Sequence, residues 1–266
     1  MDKVRLVMQN NLISENDLGQ MQAACKEANI ECQEIIVTPF SDEIPEFLYS
    51  SNNFYYGSTT LMNNLYRAFK PKGLFYDNKI FTMSNYFDKW GNYMLNYGAV
   101  VSTIGEFLDG NAEYIEGRDI RFVRPDGDGK EFDGQVGTIS ELKEMLKRSI
   151  KYESPLTRET RIVVGTAYNI RKEWRLYIVG GEIITASRYR KDFKLSKSGT
   201  DIPETMLEFA RDRISEFKPH ENFAIDIAQM DDGSYYIIEC GCLNSVGFYH
   251  CDINKLIKSI IKWMKN

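Results

Sequence analysis

The first hundred residues alternate between short apolar runs and longer stretches with helical spacing. Three apolar runs predict strands, each followed by turn or loop residues: Lys3–Met8, Cys32–Val37 and Asn53–Tyr56. Two stretches between or after them predict helices, one capped by Ser14 and one running over Thr59–Phe69. Strands that alternate with helices are typical of an α/β domain.

From about residue 119 the pattern changes to predicted β-hairpins. Their arms are Ile120–Arg124 with Lys130–Val136, Glu173–Val179 with Glu182–Tyr189, and Phe223–Met230 with Tyr235–Cys240. Helical patterns lie between the hairpins, at Ser140–Lys151 and Glu204–Phe217. The chain ends on an apolar helical stripe over Ile253–Met264, which predicts a core-facing helix. The fold class is therefore expected to be α+β, with an N-terminal α/β domain ahead of an antiparallel part.

Composition and charge narrow the functional classes. The 33 Lys and Arg residues against 38 Asp and Glu residues give a net charge of −5, which disfavours broad nucleic-acid binding but leaves room for a local basic patch. No apolar run reaches the roughly 18 residues of a membrane span. The N-terminus is too polar for a signal peptide, so a cytosolic protein without a membrane or nucleic-acid partner is expected.

The five cysteines are an odd number and do not suggest a disulfide framework. Four residues of zinc-ligand types cluster near the C-terminus: Cys240, Cys242, His250 and Cys251. The Cys-x-Cys gap is tighter than usual zinc spacing and the last two residues are adjacent, so reduced, partly buried thiols are the preferred interpretation.

Several common catalytic motifs are absent from the sequence. It contains no phosphate-binding loop of the Gly-x4-Gly-Lys-Ser/Thr type, no Gly-x-Gly-x-x-Gly motif after a strand and no Gly-x-Ser-x-Gly elbow. The stretch 126–131 resembles the start of a calcium loop, but Lys130 and Glu131 occupy positions that such a loop does not allow. A calcium loop is therefore rejected.

A pair of carboxylates is the most informative feature of the third hairpin. If Asp232-Gly233 is a two-residue turn, Asp226 lies opposite Glu239, with Cβ atoms about 5 Å apart. Facing like charges are destabilising, and a divalent cation such as Mg²⁺ would offset them. Two alternatives remain: one carboxylate pairs with an Arg or Lys or faces solvent, or a three-residue turn puts the two on different faces.

The other two hairpins carry candidate phosphate contacts. A Gly180-Gly181 turn places Glu173 opposite Arg188, with Arg175 on the same face. The Arg fork suits phosphate, although a surface Glu–Arg ion pair is the simpler alternative. Arg124 and Lys130 flank a glycine-rich loop that could approach phosphate, or that could be only a turn.

Taken in order, three segments resemble the ATP-grasp superfamily, and more narrowly a small clade common in phage and bacterial genomes. They are Phe122–Gly134, Glu173–Tyr189 and Ala224–Tyr249, and the resemblance covers roughly residues 75–262. It implies two lobes that clamp ATP between antiparallel sheets. The expected divisions are an N-terminal domain over 1–105 and an ATP-grasp domain over 106–266, split into a small ATP lobe (106–166) and a metal-binding lobe (167–266).

The resemblance also implies roles for individual residues. Lys130 and Arg175 would act on the transferring phosphate, and Asp226, Glu239 and Asn244 would hold Mg²⁺. Many ATP-grasp enzymes carry Glu-x-Asn, but Gly241 stands at the Asn position here, so Asn244 is taken as its substitute. The remaining contacts to ATP would come from Arg124, Thr166, Ala167, Tyr168, Ile170, Glu173 and Arg188.

The expected reaction is an ATP-dependent ligation. A carboxylate attacks the γ-phosphoryl group of ATP, and an amine then displaces phosphate from the acylphosphate. The expected partners are small-molecule or peptide carboxylates and amines. A phosphotransferase on the same site and a nucleotide-binding module without catalysis are the alternatives.

Overall fold

The computed structural model describes residues 3–11, 13–39, 41–77, 79–111, 119–152 and 156–266. Within these residues the strands are β1 (Arg5–Gln9), β2 (Glu31–Ile35), β3 (Asn53–Tyr56), β4 (Val100–Thr103), β5 (Ile120–Pro125), β6 (Gln135–Thr138), β7 (Arg161–Thr166), β8 (Ile170–Val179), β9 (Glu182–Lys191), β10 (Lys194–Ser198), β11 (Phe223–Met230) and β12 (Tyr235–Cys242). The helices are α1 (Glu15–Glu27), α2 (Thr59–Ala68), α3 (Met83–Trp90), α4 (Ile104–Asp109), α5 (Ile139–Tyr152), α6 (Glu204–Glu216) and α7 (Ile253–Lys265).

The N-terminal part contains a parallel sheet of the α/β kind that the sequence predicts. Its strand order is β2-β1-β3, and β1 pairs in parallel with both neighbours. Helix α1 starts where expected, because the Ser14 side chain accepts the Asp17 N–H at 3.2 Å. The C-terminal helix α7 packs in the same apolar cluster as β1 and α1, so its apolar stripe does face a core.

Two antiparallel sheets follow, and they form the walls of the site. The four-stranded sheet has the order β4-β7-β5-β6, and the five-stranded sheet has the order β10-β9-β8-β11-β12. Helices α4 and α5 cover the four-stranded sheet around Leu142 and Leu146. Trp174 and Ile227 are fully buried in the cluster behind the five-stranded sheet. No helix among the described residues is long and apolar enough to cross a membrane.

The β11–β12 hairpin confirms the predicted pairing of Asp226 with Glu239 but not the predicted turn. Met230 N–H donates to Ser234 O at 3.0 Å, so the loop has three residues and ends on Gly233 at φ +86°. This shifts the register by one residue, and Ile227 faces Ile237. A bulge between Ile227 and Asp226 restores the register, so Asp226 still faces Glu239.

The β8–β9 hairpin has the predicted two-residue Gly180-Gly181 turn, with φ values of +62° and +81°. Two bulges then change the register along the strands, and Glu173 faces Arg190. The predicted pairing of Glu173 with Arg188 is therefore wrong.

The β5–β6 hairpin also differs from prediction. Its second arm is Gln135–Thr138 rather than Lys130–Val136. Residues 126–134 form a longer connection, called here the glycine-rich loop.

Candidate functional site

A cleft of about 620 Å³ lies between the two antiparallel sheets, a size typical of small-ligand sites. Most of the predicted site residues line it: Arg124, Lys130, Thr166, Ala167, Tyr168, Ile170, Glu173, Arg175, Asp226 and Glu239. The first two come from β5 and the glycine-rich loop, the next four from β7, β8 and the segment between them, and the rest from the five-stranded sheet. The topology thus brings three predicted hairpins to one cavity.

Asp226 lies in the interior of the five-stranded sheet and is paired with arginine. Arg175 on the neighbouring strand β8 donates to it through Nε at 2.8 Å and Nη2 at 2.7 Å. The hydroxyl of Tyr189 lies 3.1 Å from Asp226 Oδ2. Burial raises the pKa of the Asp226 carboxyl, and the Arg175 charge opposes that shift. The repulsion from Glu239 is thus offset by a guanidinium, one of the alternatives that the sequence left open.

Glu239 is paired with a second arginine, which belongs to the other sheet. Its Oε2 accepts a hydrogen bond from Arg124 Nη1 on β5, and its Oε1 lies 4.0 Å from Arg175 Nη2. Burial opposes ionisation most strongly, but the charges of Arg124 and Arg175 together hold the pKa of Glu239 below its ordinary value. Its side chain is 27% exposed against 3% for Asp226, so Glu239 is the more accessible carboxylate.

Glu173 belongs to a small network of residues that line the cleft. Tyr189 donates to Glu173 Oε2 at 2.7 Å, and Arg190 donates to Oε1 at 3.1 Å. Burial raises the pKa of this carboxyl despite both donors. The ring of Tyr189 stacks on Tyr249 with centroids 4.9 Å apart.

Three residues of this network have roles that sequence reasoning missed: Tyr189, Arg190 and Tyr249. A signal existed for two of them, since Tyr189 and Tyr249 fall in the segments that carry the family resemblance. Tyr249 also has a φ of +54°, and non-glycine residues in this strained region cluster at functional sites.

Lys130 links the glycine-rich loop to the segment that follows β12. Its Nζ donates to the carbonyl of Ser245, and its φ is +54°. The loop is also tied to the N-terminal part, because the Thr59 hydroxyl donates to Gly129 O at 3.2 Å. An exposed ammonium on a fixed loop at the cleft is suitably placed for an anion.

Two predicted site residues do not line the cleft, and Arg188 is the first. It faces Trp174 rather than Glu173, and its guanidinium pairs with Asp201 and donates through Nε to Ser196 O at 3.1 Å. The bulge between Glu173 and Trp174 puts it on the other face of the sheet.

Asn244 is the second, and it faces the N-terminal part instead of the carboxylates. Its Oδ1 accepts the Phe75 N–H at 2.6 Å, and its Nδ2 donates to Tyr55 O at 2.7 Å and to Gly73 O at 3.0 Å. The side chain is buried, at 2% exposure. Its amide groups are thus used in joining segments of the chain, and the predicted role as a metal ligand is not supported.

Asp128 is a cleft residue that the sequence analysis considered only as part of the rejected calcium loop. It lies in the glycine-rich loop and is 9% exposed. Its Oδ2 accepts the N–H of Cys242 on β12 at 2.7 Å. Burial raises the pKa of its carboxyl to about 6, and the nearby Lys130 opposes this.

Among the described residues, no three His, Cys, Asp or Glu side chains come close enough together to hold a metal ion. The C-terminal zinc candidates are divided: Cys240 and Cys242 belong to one apolar cluster and Cys251 to another. The cleft does contain hard carboxylate oxygens. Mg²⁺ needs only one or two of these when phosphates supply the rest, so the donor set fits Mg²⁺ held jointly with a nucleotide.

Comparison with known proteins agrees with this architecture. No curated protein sequence matches the chain. Its fold is similar to that of D-cycloserine synthetase DcsG, with TM-score 0.67 and 12% identity over 98% of this chain and 99% of that one. It is also similar to D-alanine–D-alanine ligase from Bacillus anthracis complexed with ATP, with TM-score 0.61 and 13% identity over 100% and 97% of the two chains. A third similar structure is ATP-grasp ligase PsnB complexed with minimal precursor, Mg and ADP, with TM-score 0.56 and 11% identity over 100% of both chains.

The model of one domain family matches residues 78–260, which is more than half of the chain. The match agrees with the resemblance carried by the three hairpin segments and confirms the predicted fold class. The protein therefore belongs to the ATP-grasp domain proteins, in family 3 of the R-2-K clade.

Proposed function

We propose that this protein is an ATP-dependent ligase that joins a carboxylate to an amine and releases ADP and phosphate. One observation carries the proposal: the cleft between the two sheets brings Arg124, Lys130, Arg175 and Glu239 together. Three basic side chains that can bind phosphate thus lie beside Glu239, a carboxylate that can bind a metal ion.

The proposed chemistry needs positioning and charge more than a protein nucleophile. The cysteines nearest the carboxylates in sequence, Cys240 and Cys242, are buried, and burial raises the pKa of both thiols. Neither is therefore a thiolate poised for attack. The substrate carboxylate itself would attack the γ-phosphoryl group, which makes a covalent enzyme intermediate unnecessary.

Each of the three basic side chains has a defined part in this proposal. Lys130 would bind a phosphate oxygen from the glycine-rich loop, giving up its bond to the Ser245 carbonyl. Arg175 would stabilise charge on the transferring group while Asp226 holds its guanidinium in place through two hydrogen bonds. Arg124 links the two sheets through Glu239 and would turn to the phosphates when Glu239 binds a cation.

Magnesium fits the Glu239 side of the cleft better than the Asp226 side. Both Asp226 oxygens already accept bonds from Arg175. Glu239 accepts its bond from Arg124 on Oε2, and its Oε1 lies 4.0 Å from Arg175 Nη2, beyond hydrogen-bonding distance. Bound Mg²⁺ would neutralise phosphate charge. Thr166, Ala167 and Tyr168 line the same cleft. In this proposal their segment would run alongside the adenine ring of ATP.

The substrates are expected to be small molecules or peptides. The D-alanine ligase and PsnB structures are of proteins whose names describe ligation, and the PsnB structure contains a precursor. These similarities support ligation as the class of reaction.

A trapping experiment tests the proposal even while the amine is unidentified. The purified chain is incubated with Mg·ATP, pools of carboxylic acids and hydroxylamine, which converts an acylphosphate into a hydroxamate. The expected result is ADP release coupled to hydroxamate formation. A phosphoester product would indicate a phosphotransferase, and Mg·ATP binding without ADP release from any pool would indicate a module without catalysis.

A further inference from the structure

Gly241 lies two positions after Glu239 on β12 and offers no side-chain ligand. Asn244, the expected substitute, makes its hydrogen bonds with Phe75 and Tyr55 instead. The space beside Gly241 is nevertheless occupied. A Cβ added there would lie 3.2 Å from Asp128 Oδ2 and 3.3 Å from Asp128 Oδ1. The carboxylate of the glycine-rich loop thus lies where a side chain of β12 would begin.

This position puts Asp128 on the same face of the strand as Glu239. The pairing of β12 with β11 is regular from Glu239 to Cys242, and residues two apart on a regular strand share a face. Both carboxylates line the cleft. The hydrogen bond from Cys242 N–H to Asp128 Oδ2, at 2.7 Å, fixes the Asp128 carboxylate against the strand.

Three of the carboxylates that line the cleft, Asp226, Glu239 and Asp128, differ in the groups that already bind them. Asp226 accepts two hydrogen bonds from Arg175, and one oxygen of Glu239 accepts a bond from Arg124. Asp128 accepts a backbone N–H on one oxygen. A single backbone donor uses fewer lone pairs of a carboxylate than a two-pronged guanidinium does, so Asp128 keeps more capacity for a cation than Asp226.

We propose that Asp128, together with Glu239, forms the protein side of the site for the divalent cation that accompanies the nucleotide. The assignment rests on the proposed function and deepens it. Two carboxylates and the phosphates satisfy the usual requirement of Mg²⁺. Because Asp128 comes from the glycine-rich loop and Glu239 from β12, a cation bound by both joins the two walls of the cleft.

The test asks whether one substitution changes nucleotide affinity in opposite directions with and without Mg²⁺. Asp128→Asn keeps an oxygen that can accept the Cys242 N–H but removes the charge. Affinity for a nonhydrolysable ATP analogue is measured in Mg²⁺ and again in EDTA. In Mg²⁺ we expect the affinity for the analogue to fall at least about tenfold. Mutating a group that only hydrogen-bonds to a metal ligand already lowers metal affinity by that much. In EDTA we expect equal or tighter binding, because one negative charge near the phosphates is gone.

A direct metal readout and a matched control accompany this measurement. Mn²⁺ affinity in the presence of the analogue, followed by electron paramagnetic resonance, should fall in Asp128→Asn. Asp231→Asn removes an exposed charge from the β11–β12 turn, outside the cleft, and should leave the Mn²⁺ affinity unchanged. Equal weakening of analogue binding in Mg²⁺ and EDTA would show a structural role, and an unchanged Mn²⁺ affinity would exclude Asp128 as a ligand.

A carboxylate exchange provides a second, independent variant. Asp128→Gly combined with Gly241→Asp moves the charge from the loop to the strand. The φ of Gly241 is outside the left-handed region, so an aspartate is tolerated there once the Asp128 carboxylate is absent. The double variant should recover most of the Mn²⁺ affinity that Asp128→Gly alone loses, and no recovery would contradict the assignment.

The outcomes separate this assignment from the proposed function. Wild-type protein that binds no nucleotide overturns both. Wild-type protein that binds Mg·nucleotide while Asp128→Asn binds it equally well overturns the Asp128 assignment alone.

Discussion

Two carboxylate–arginine pairs lie side by side in the cleft, but they connect different parts of the molecule. Asp226 and Arg175 face each other on neighbouring strands of one sheet. Glu239 and Arg124 belong to different sheets and meet across the cleft. The first pair is held by the hydrogen-bonding register of its sheet, whereas the second depends on how the two sheets approach each other.

The two pairs also differ in the balance between burial and charge. Burial raises the pKa of Asp226, while burial at Glu239 is outweighed by Arg124 and Arg175, which hold its pKa below the ordinary value. We infer that the Asp226 pair is a fixed part of the sheet and that the Glu239 pair exchanges partners when ligands bind.

The largest expected effect comes from breaking the pair within the sheet. Asp226→Ala leaves the Arg175 guanidinium buried without its partner, and removing one member of a buried pair costs about 3–5 kcal/mol. The free energy of unfolding in urea should fall by that amount. Asp226→Ala combined with Arg175→Met removes both charges and should recover most of the loss; a single variant as stable as wild type would mean that the pair is not fixed.

The pair across the cleft should respond in the opposite way. Glu239→Gln weakens a pair that is partly exposed and joins separate sheets, so the loss in unfolding free energy should be about 1 kcal/mol. Affinity for a nonhydrolysable ATP analogue in Mg²⁺ should fall about tenfold or more. Isothermal titration in Mg²⁺ and in EDTA measures this, and an equal loss in both buffers would argue against a role in cation binding.

The facing of Asp226 and Glu239 was predictable from the sequence, but partly through compensating errors. The turn has one more residue than predicted, and the bulge beside Asp226 cancels the shift. Bulges are set by packing and local twist, which a turn motif does not report. A register shift of the same kind between Glu173 and Trp174 places Arg190, rather than Arg188, opposite Glu173.

The residues that the sequence could not place depend on contacts between distant segments. Asn244 joins Tyr55 and Phe75, which are far away along the chain, so nothing near it in sequence indicates its role. Asp128 reaches Gly241 on another sheet. The missing side chain at Gly241 was visible in the sequence, but the residue that fills its place could be identified only from the fold.

The pH dependence of stability should sharpen the comparison, with a smaller effect than either substitution at neutral pH. Because the pKa of Glu239 in the folded state is lower than its ordinary value of 4.5, ionised Glu239 stabilises the fold above that value. The contribution is lost as the pH falls through the folded pKa. The difference in unfolding free energy between wild type and Glu239→Gln should therefore shrink as the pH is lowered from neutral through the folded pKa, and a constant difference would contradict the role of the two arginines.

The smallest effects should come from the two arginines that flank Tyr189. Arg190 contacts Glu173 at the cleft, so Arg190→Ala should change kcat or the acceptor KM by a few-fold, as expected for a partly exposed charged contact. Arg188 is held by Asp201 and Ser196 away from the cleft, so Arg188→Ala should lower stability without changing the affinity for Mg·nucleotide. Steady-state kinetics with the carboxylate found by hydroxamate trapping, together with analogue titration, distinguish the two. If Arg188→Ala weakens nucleotide binding while Arg190→Ala has no effect on either kinetic constant, the register between β8 and β9 is not the one that governs the site.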